Sequence, residues 1–201
     1  MSSAPLRRAD LDPDPLRQFA GWYTQAADAV PTPEVVVLAT ATASGAPAAR
    51  MVLLKGFDQR GFVFYTNYFS RKGQEIAQNP RAAMLFHWAP LGRQVRIEGA
   101  VHRIDAAESD AYFKTRPPGS RFSAAASPQS RPVASRSVLE DAVGALVARY
   151  PEGDVPRPDE WGGLRLVAAE YEFWQHGDDR LHDRFRYRRA GEAWTVERLG
   201  P

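Results

Sequence analysis

Residues 94–102 place Val95, Ile97, Gly99 and Val101 alternately with Gln94, Arg96, Glu98 and His102. A period of two can be turned into one packed and one polar face only by an extended strand. Apolar or alternating runs recur along the chain between turn signals. Residues 34–42 read as a buried strand, Ser44-Gly45 turns into a second at 48–57, and 58–61 leads to a third at 62–66. Further strands are expected at 81–88, 93–104, 164–175, 184–189 and 194–199, the last two joined through Ala190-Gly191-Glu192. Eight or so antiparallel strands predict a barrel with helical decoration, mainly β with helices in the α+β sense.

Helices are expected between these runs. Asp12-Pro13 signals a start, and Leu16, Phe19, Trp22, Tyr23 and Ala26 follow at helical spacing until Pro31 and Pro33. Ser70 is suited to cap a helix over 71–78 whose first turn carries Arg71 and Lys72, cations that oppose the helix dipole and that an anion would relieve. Asp105 with Glu108 reads as a capping-box start for a helix ending before Pro117, and Ser137 with Glu140 for one reaching about residue 150. Residues 120–136 show no period and are expected to be partly irregular. A proline-rich loop over 153–158 precedes Trp161-Gly162-Gly163.

A chain of 201 residues can bury a core as one domain, and with no cysteine it has neither disulfides nor a thiol nucleophile. The apolar runs are too short to span a bilayer, and the polar stretch from Met1 to Asp12 has no hydrophobic segment behind it, so a cytoplasmic protein with no membrane partner is expected. The net charge of +2 comes with no basic stripe, zinc finger or helix-turn-helix signature, which argues against a nucleic-acid partner. The four histidines lack metal-ligand spacing, and neither a phosphate-binding glycine loop nor a serine-hydrolase elbow occurs. Anion-binding equipment stands out instead. Arg50 and Lys55, Arg71-Lys72, Tyr112 and Arg116, and Arg180, His182 and Arg184 lie on separate elements, enough for two phosphorylated ligands. Alternation along one strand would turn Arg50 and Lys55 to opposite faces.

The most specific pattern is C-terminal. Glu172-Phe173-Trp174-Gln175, four residues, then Arg180-Leu181-His182-Asp183-Arg184 resembles the signature of the pyridoxine (pyridoxamine) 5′-phosphate oxidase family. The resemblance continues upstream through residues 50–55, 64–67 and 70–72, then Arg93-Gln94-Val95, Tyr112-Phe113, Arg116-Pro117, Gln129-Ser130 and Trp161-Gly162-Gly163. It implies an FMN-binding split β-barrel, Greek-key-like, in a homodimer with FMN in clefts between subunits. A single domain over 1–201 is then expected, with an arm and helix at 1–33, barrel core at 34–104, helical insertion at 105–160 and C-terminal strands at 161–201.

Carried over by position, the resemblance assigns FMN to Arg50, Met51, Val52, Leu53, Leu54, Lys55, Tyr65, Thr66, Arg71, Lys72, Gln94, Gln129, Ser130, Trp174 and Arg184. It gives the substrate phosphate to Lys55, Tyr112, Arg116 and Ser120, with Arg180, Leu181 and His182 at the pyridine and Arg180 and His182 as the catalytic pair. The implied reaction oxidises pyridoxamine or pyridoxine 5′-phosphate to pyridoxal 5′-phosphate, with oxygen as acceptor and hydrogen peroxide released. The flavin would carry the redox step. Without the motif, His182 reads as a structural histidine bonded to neighbouring backbone. Relatives often carry Gly-Ala-Trp where this chain has Ser123-Ala124-Ala125, an aliphatic residue in place of Tyr171, and a longer arm ahead of Leu6-Arg7-Arg8. A more open substrate site with a raised KM is the expected consequence. The competing readings are a related flavin oxidase acting on a phenazine precursor and a non-catalytic flavin or pyridoxal-phosphate binding protein.

Overall fold

A computed structural model describes residues 5–201; Met1 to Ala4 of the polar N-terminal stretch lie outside the described residues. Helix α1 (Pro15–Ala29) starts one Asp-Pro pair later than expected. Asp14 accepts from the Leu16 N–H at 2.9 Å and Pro15 occupies the first turn, while the upstream Asp12 accepts from the Asp14 N–H. Its apolar stripe seats Phe19 against Phe57, Phe62 and Phe86 at ring separations of 4.9, 5.0 and 5.1 Å, so this helix plugs the barrel with an aromatic cluster.

The strands are β1 (Val35–Ala41), β2 (Pro47–Leu53), β3 (Gly56–Asp58), β4 (Gly61–Asn67), β5 (Arg81–Trp88), β6 (Arg93–Arg103), β7 (Trp161–Gln175), β8 (Asp183–Ala190) and β9 (Ala193–Leu199). They form one antiparallel sheet ordered β2-β1-β5-β6-β7-β4-β3, with β8 and β9 continuing from the far end of β7. The sheet curls until β2 approaches β4 without pairing to it, leaving the barrel split along that seam. Leu38, Met84, Phe86, Val95, Ile97 and Phe173 fill the interior. Tyr171 joins this core, with Trp194 edge-on at 5.4 Å, and burial pushes its phenol up.

The strand expected over 48–57 is two strands. The Leu54 N–H donates to the Glu34 carbonyl on the β1 side, whereas the next N–H, on Lys55, donates to Val63 on β4. The chain leaves one sheet edge for the other at this step, so the alternation expected to relate Arg50 to Lys55 ends at Leu53. Residues 120–136 are also more regular than expected. Helix α4 (Pro118–Ala126) buries Phe122 beside Phe113, Val155 and Trp161, with Ala124 and Ala125 packed against that cluster. One buried anchor in a short helix leaves no readable period. Helix α2 (Arg71–Gln78) starts at Ser70 as expected, and α3 (Ala106–Thr115) at Asp105, but Glu108 does not complete a capping box; its carboxylate binds Arg165 at 2.8 Å. Ser135, not Ser137, caps α5 (Arg136–Arg149), and Glu140 pairs with Arg136 one turn away. β7 takes in the whole Trp-Gly-Gly motif.

Between Glu98 and Gly99 the β6–β7 register shifts, and a Cβ on Gly99 would collide with the Val167 carbonyl. Replacing Gly99 by Ala should therefore cost about 2 kcal/mol of stability, read as a lower urea midpoint with an unchanged slope.

Candidate active site

At the split between β2 and β4 the surface opens into a groove of about 410 Å³. β2 supplies Met51, Val52 and Leu53, β4 supplies Tyr65 and Thr66, and Lys55 comes from the crossing segment. Lys72 from α2 closes one end with Gln129, while Tyr112, Arg116, Ser120 and Trp161 close the other.

The first end is cationic. The Lys72 ammonium donates to Thr66 Oγ1 and Gln129 Oε1, each at 3.1 Å, and to Ser70 Oγ at 3.4 Å. Burial, with Arg50 nearby, pulls it below the usual lysine range, which favours an anionic occupant. Arg50 donates to the Leu38 carbonyl at 3.2 Å and to Glu75 at 3.0 Å; Arg71 donates to the same carboxylate at 2.8 Å. Burial alone would raise the Glu75 carboxyl, but hydrogen bonds from Thr40, Arg71 and Arg50 outweigh it and hold the group below its ordinary value. Arg50 and Arg71 thus share one buried carboxylate, and with Lys72 close by this end retains net positive charge.

The second end is aromatic. Tyr65 stacks on Tyr112 at 3.9 Å, and burial pushes the Tyr65 phenol up to about 12. The Arg116 guanidinium lies 4.7 Å from the Trp161 ring centre, burial lowers its pKa, and its Nη1 is buried with no partner among the described residues. Helix α3, which carries Tyr112, is fixed to the sheet by Glu108 on Arg165, Asp110 on Arg157, and Ser109 Oγ accepting from the Gly163 N–H at 3.1 Å. None of these anchors was expected from the sequence. The signal was local: three consecutive polar residues on one helical turn.

The remaining expected residues gather elsewhere. Gln94, Trp174 and Arg184 stand opposite one another in a single row across β6, β7 and β8. Arg184 donates to the buried Glu172 at 2.8 Å, and Glu172 also pairs with Arg96 at 2.8 Å. His182 packs 4.6 Å from the Trp174 ring and its Nδ1 accepts from the Gly177 N–H at 3.2 Å. That backbone bond is the structural role anticipated for a bare histidine; it also leaves Nε2 to carry the proton of the neutral ring and to act as donor. Arg180 sits on the intervening turn, where Asp179 and Arg180 adopt φ of 52° and 63°. Leu181 projects into solvent, 72% exposed.

The groove and this tip lie at opposite ends of β7, separated by roughly 40 Å of strand at about 3.3 Å per residue. Arg50, Arg71 and Ser130 flank the groove without lining it, and Ser130 is left-handed at φ 70°. Leu54 turns its side chain into the core, which leaves its backbone as its only means of contact.

A family profile described as pyridoxamine 5′-phosphate oxidase matches residues 24–148, and one for the pyridoxine 5′-phosphate oxidase C-terminal dimerisation region matches 161–201. The chain is 54% identical to a pyridoxine/pyridoxamine 5′-phosphate oxidase of Paraburkholderia phymatum, covering 100% of this chain and 95% of that protein. It is 52% identical to the Salinibacter ruber protein of the same name, covering 98% and 94%. Among solved structures, PhzG from Burkholderia lata 383 in complex with tetrahydrophenazine-1-carboxylic acid superposes with a TM-score of 0.93 at 32% identity, covering both chains fully. A pyridoxamine 5′-phosphate oxidase-related, FMN-binding protein from Nostoc punctiforme shares the fold, with a TM-score of 0.73 at 19% identity over 94% of this chain and 98% of that one.

Glu75 sets an acid limit on stability. A carboxyl held below its ordinary value of 4.5 stabilises the fold above that pH and loses the contribution as pH falls through its folded value. Glu75→Gln should lower stability at neutral pH and flatten its decline below about pH 4.5, measured as urea midpoints across that range.

Proposed function

The chain belongs to the pyridoxine/pyridoxamine 5′-phosphate oxidase family of oxidoreductases, and from that premise we propose that it oxidises pyridoxamine and pyridoxine 5′-phosphate to pyridoxal 5′-phosphate with FMN as cofactor. The observation that carries this reading is the buried Nη1 of Arg116, unpartnered among the described residues, in a groove whose other end holds Lys72, with Arg50 and Arg71 flanking it on the Glu75 carboxylate. A desolvated guanidinium and a separate cationic cluster suit two phosphorylated ligands. The cluster fits the FMN phosphate, and Lys55, Tyr112, Arg116 and Ser120 fit that of the substrate.

When bound, FMN supplies the two-electron chemistry, and oxygen as final acceptor yields hydrogen peroxide. The protein's task is placement and electrostatics. Arg180, always cationic, would stabilise negative charge on the substrate, and His182 would donate from Nε2. Gln94, Trp174 and Arg184 form the complementary wall of the flavin cleft. Since they stand at the far end of β7 from the groove, a complete site requires the groove of one subunit and the tip of another. The C-terminal dimerisation match and the exposed Met51, Leu53 and Leu181 support a homodimer. The likeness to PhzG raises a phenazine precursor as a second substrate class; the phosphate-suited groove and the higher identity to the vitamin B6 oxidases favour the first. Among the described residues no helix is long and apolar enough to cross a membrane.

Anaerobic addition of pyridoxamine 5′-phosphate to the yellow holoenzyme should bleach the flavin absorbance, and admitted air should restore it with peroxide. Flavin that stays oxidised would refute the oxidase reading in favour of a binding protein.

Shared sites also predict complementation. Arg116→Ala and Arg180→Ala chains, each nearly inactive alone, should regain about a quarter of wild-type activity when refolded together, because half the dimers are mixed and each mixed dimer holds one intact site. No recovery despite confirmed mixed dimers would place both residues in a site formed by one chain.

A further inference from the structure

The Trp161-Gly162-Gly163 motif has no function in the reading above, yet it lies beneath the groove's anion-binding end. Trp161 opens β7 and is 6% exposed. Tyr65 stacks on its ring at 5.3 Å and 12°, and Arg116 lies over it. The two glycines let β7 pack closely beside that stack. A Cβ on Gly162 would run into the Tyr68 hydroxyl and reach 3.0 Å from Ser109 Oγ; one on Gly163 would strike Ile104 and come within 3.0 Å of the Tyr65 ring. Arg157 completes the support, donating to the Trp161 carbonyl at 2.6 Å while binding Asp110 on α3.

We propose, building on the function above, that Trp161 is a positioning residue that sets specificity for the phosphate group by holding the half-buried Arg116 over its ring with the buried Nη1 left for the ligand. A guanidinium over an indole gains cation–π attraction that grows as water is excluded. The cost of an unfilled buried donor then falls on any ligand lacking an anion, as it does wherever a site built for a polar group meets an analogue without it. Tyr65 and Tyr112 continue the same stack, so one platform orients the phosphate-binding phenol and the phosphate-binding guanidinium together.

The test uses the FMN-loaded enzyme with pyridoxamine 5′-phosphate and unphosphorylated pyridoxamine. Trp161→Leu should raise KM for the phosphorylated substrate about tenfold with kcat within about twofold and FMN retention unchanged. The kcat/KM for pyridoxamine should not move, and Trp161→Phe, which keeps a ring, should recover most of the loss. In an Arg116→Ala background the Trp161 substitutions should add less than about twofold, because the effect runs through Arg116. An unchanged KM, equal losses on both substrates, or a full Trp161 effect without Arg116 would overturn the proposal. Should Trp161→Leu fail to fold, the Trp161→Phe cycle decides the same question at smaller amplitude. If the wild-type enzyme oxidises neither substrate, the proposed function fails. Calorimetry with inorganic phosphate then tests the positioning role alone: weaker binding in Trp161→Leu, absent from the Arg116→Ala background, supports it, and unchanged binding overturns it.

Discussion

Two adjacent backbone N–H groups determine where this fold opens a groove. Leu54 bonds back toward β1 and Lys55 bonds forward to β4, so the chain crosses between the two edges of the curled sheet within one residue. Buried backbone groups have to be paired, and the crossing pairs both without closing the seam between β2 and β4. The seam is the groove. Side chains from both edges face it, and the helices that follow β4 and β6 bring cations and aromatic rings to its ends.

Cations toward both ends of β7 are held by buried carboxylates. Glu75 holds Arg50 and Arg71, and Glu172 holds Arg184 and Arg96. Such a carboxylate reduces the net charge available to a ligand, and removing it would strand its partners in a poorly solvated place. What it contributes is fixed geometry before the ligand arrives, the condition under which electrostatic recognition is most effective. Arg116 is treated oppositely: it is placed on a ring and left with an unfilled donor.

Strand periodicity made most of the sheet readable, including β5, β6 and the final hairpin. The break at Leu54 was not, because Met51 to Leu54 form an unbroken apolar run and a change of hydrogen-bonding partner leaves no mark in composition. Helix α4 escaped because Phe122 alone anchors it. The cations of the candidate site stood out as anion-binding equipment on separate elements, whereas Gln94, Gln129, Ser130 and Trp174 entered only through the family resemblance. Even so, the row formed by Gln94, Trp174 and Arg184 depends on strand register across distant segments, which no local pattern carries. Glu75 was closest to being found, four residues after Arg71 on a helix already recognised.

The length of β7 has a thermodynamic consequence. With the groove and the row of Gln94, Trp174 and Arg184 at its opposite ends, the proposed shared site would bind its ligand only in the associated protein, so ligand affinity and self-association would become one linked equilibrium. On the proposed shared site, dilution would weaken cofactor retention and cofactor would in turn tighten the assembly. On that reading the quantity of chain present, as much as the quality of any one side chain, would govern how much of the protein is competent.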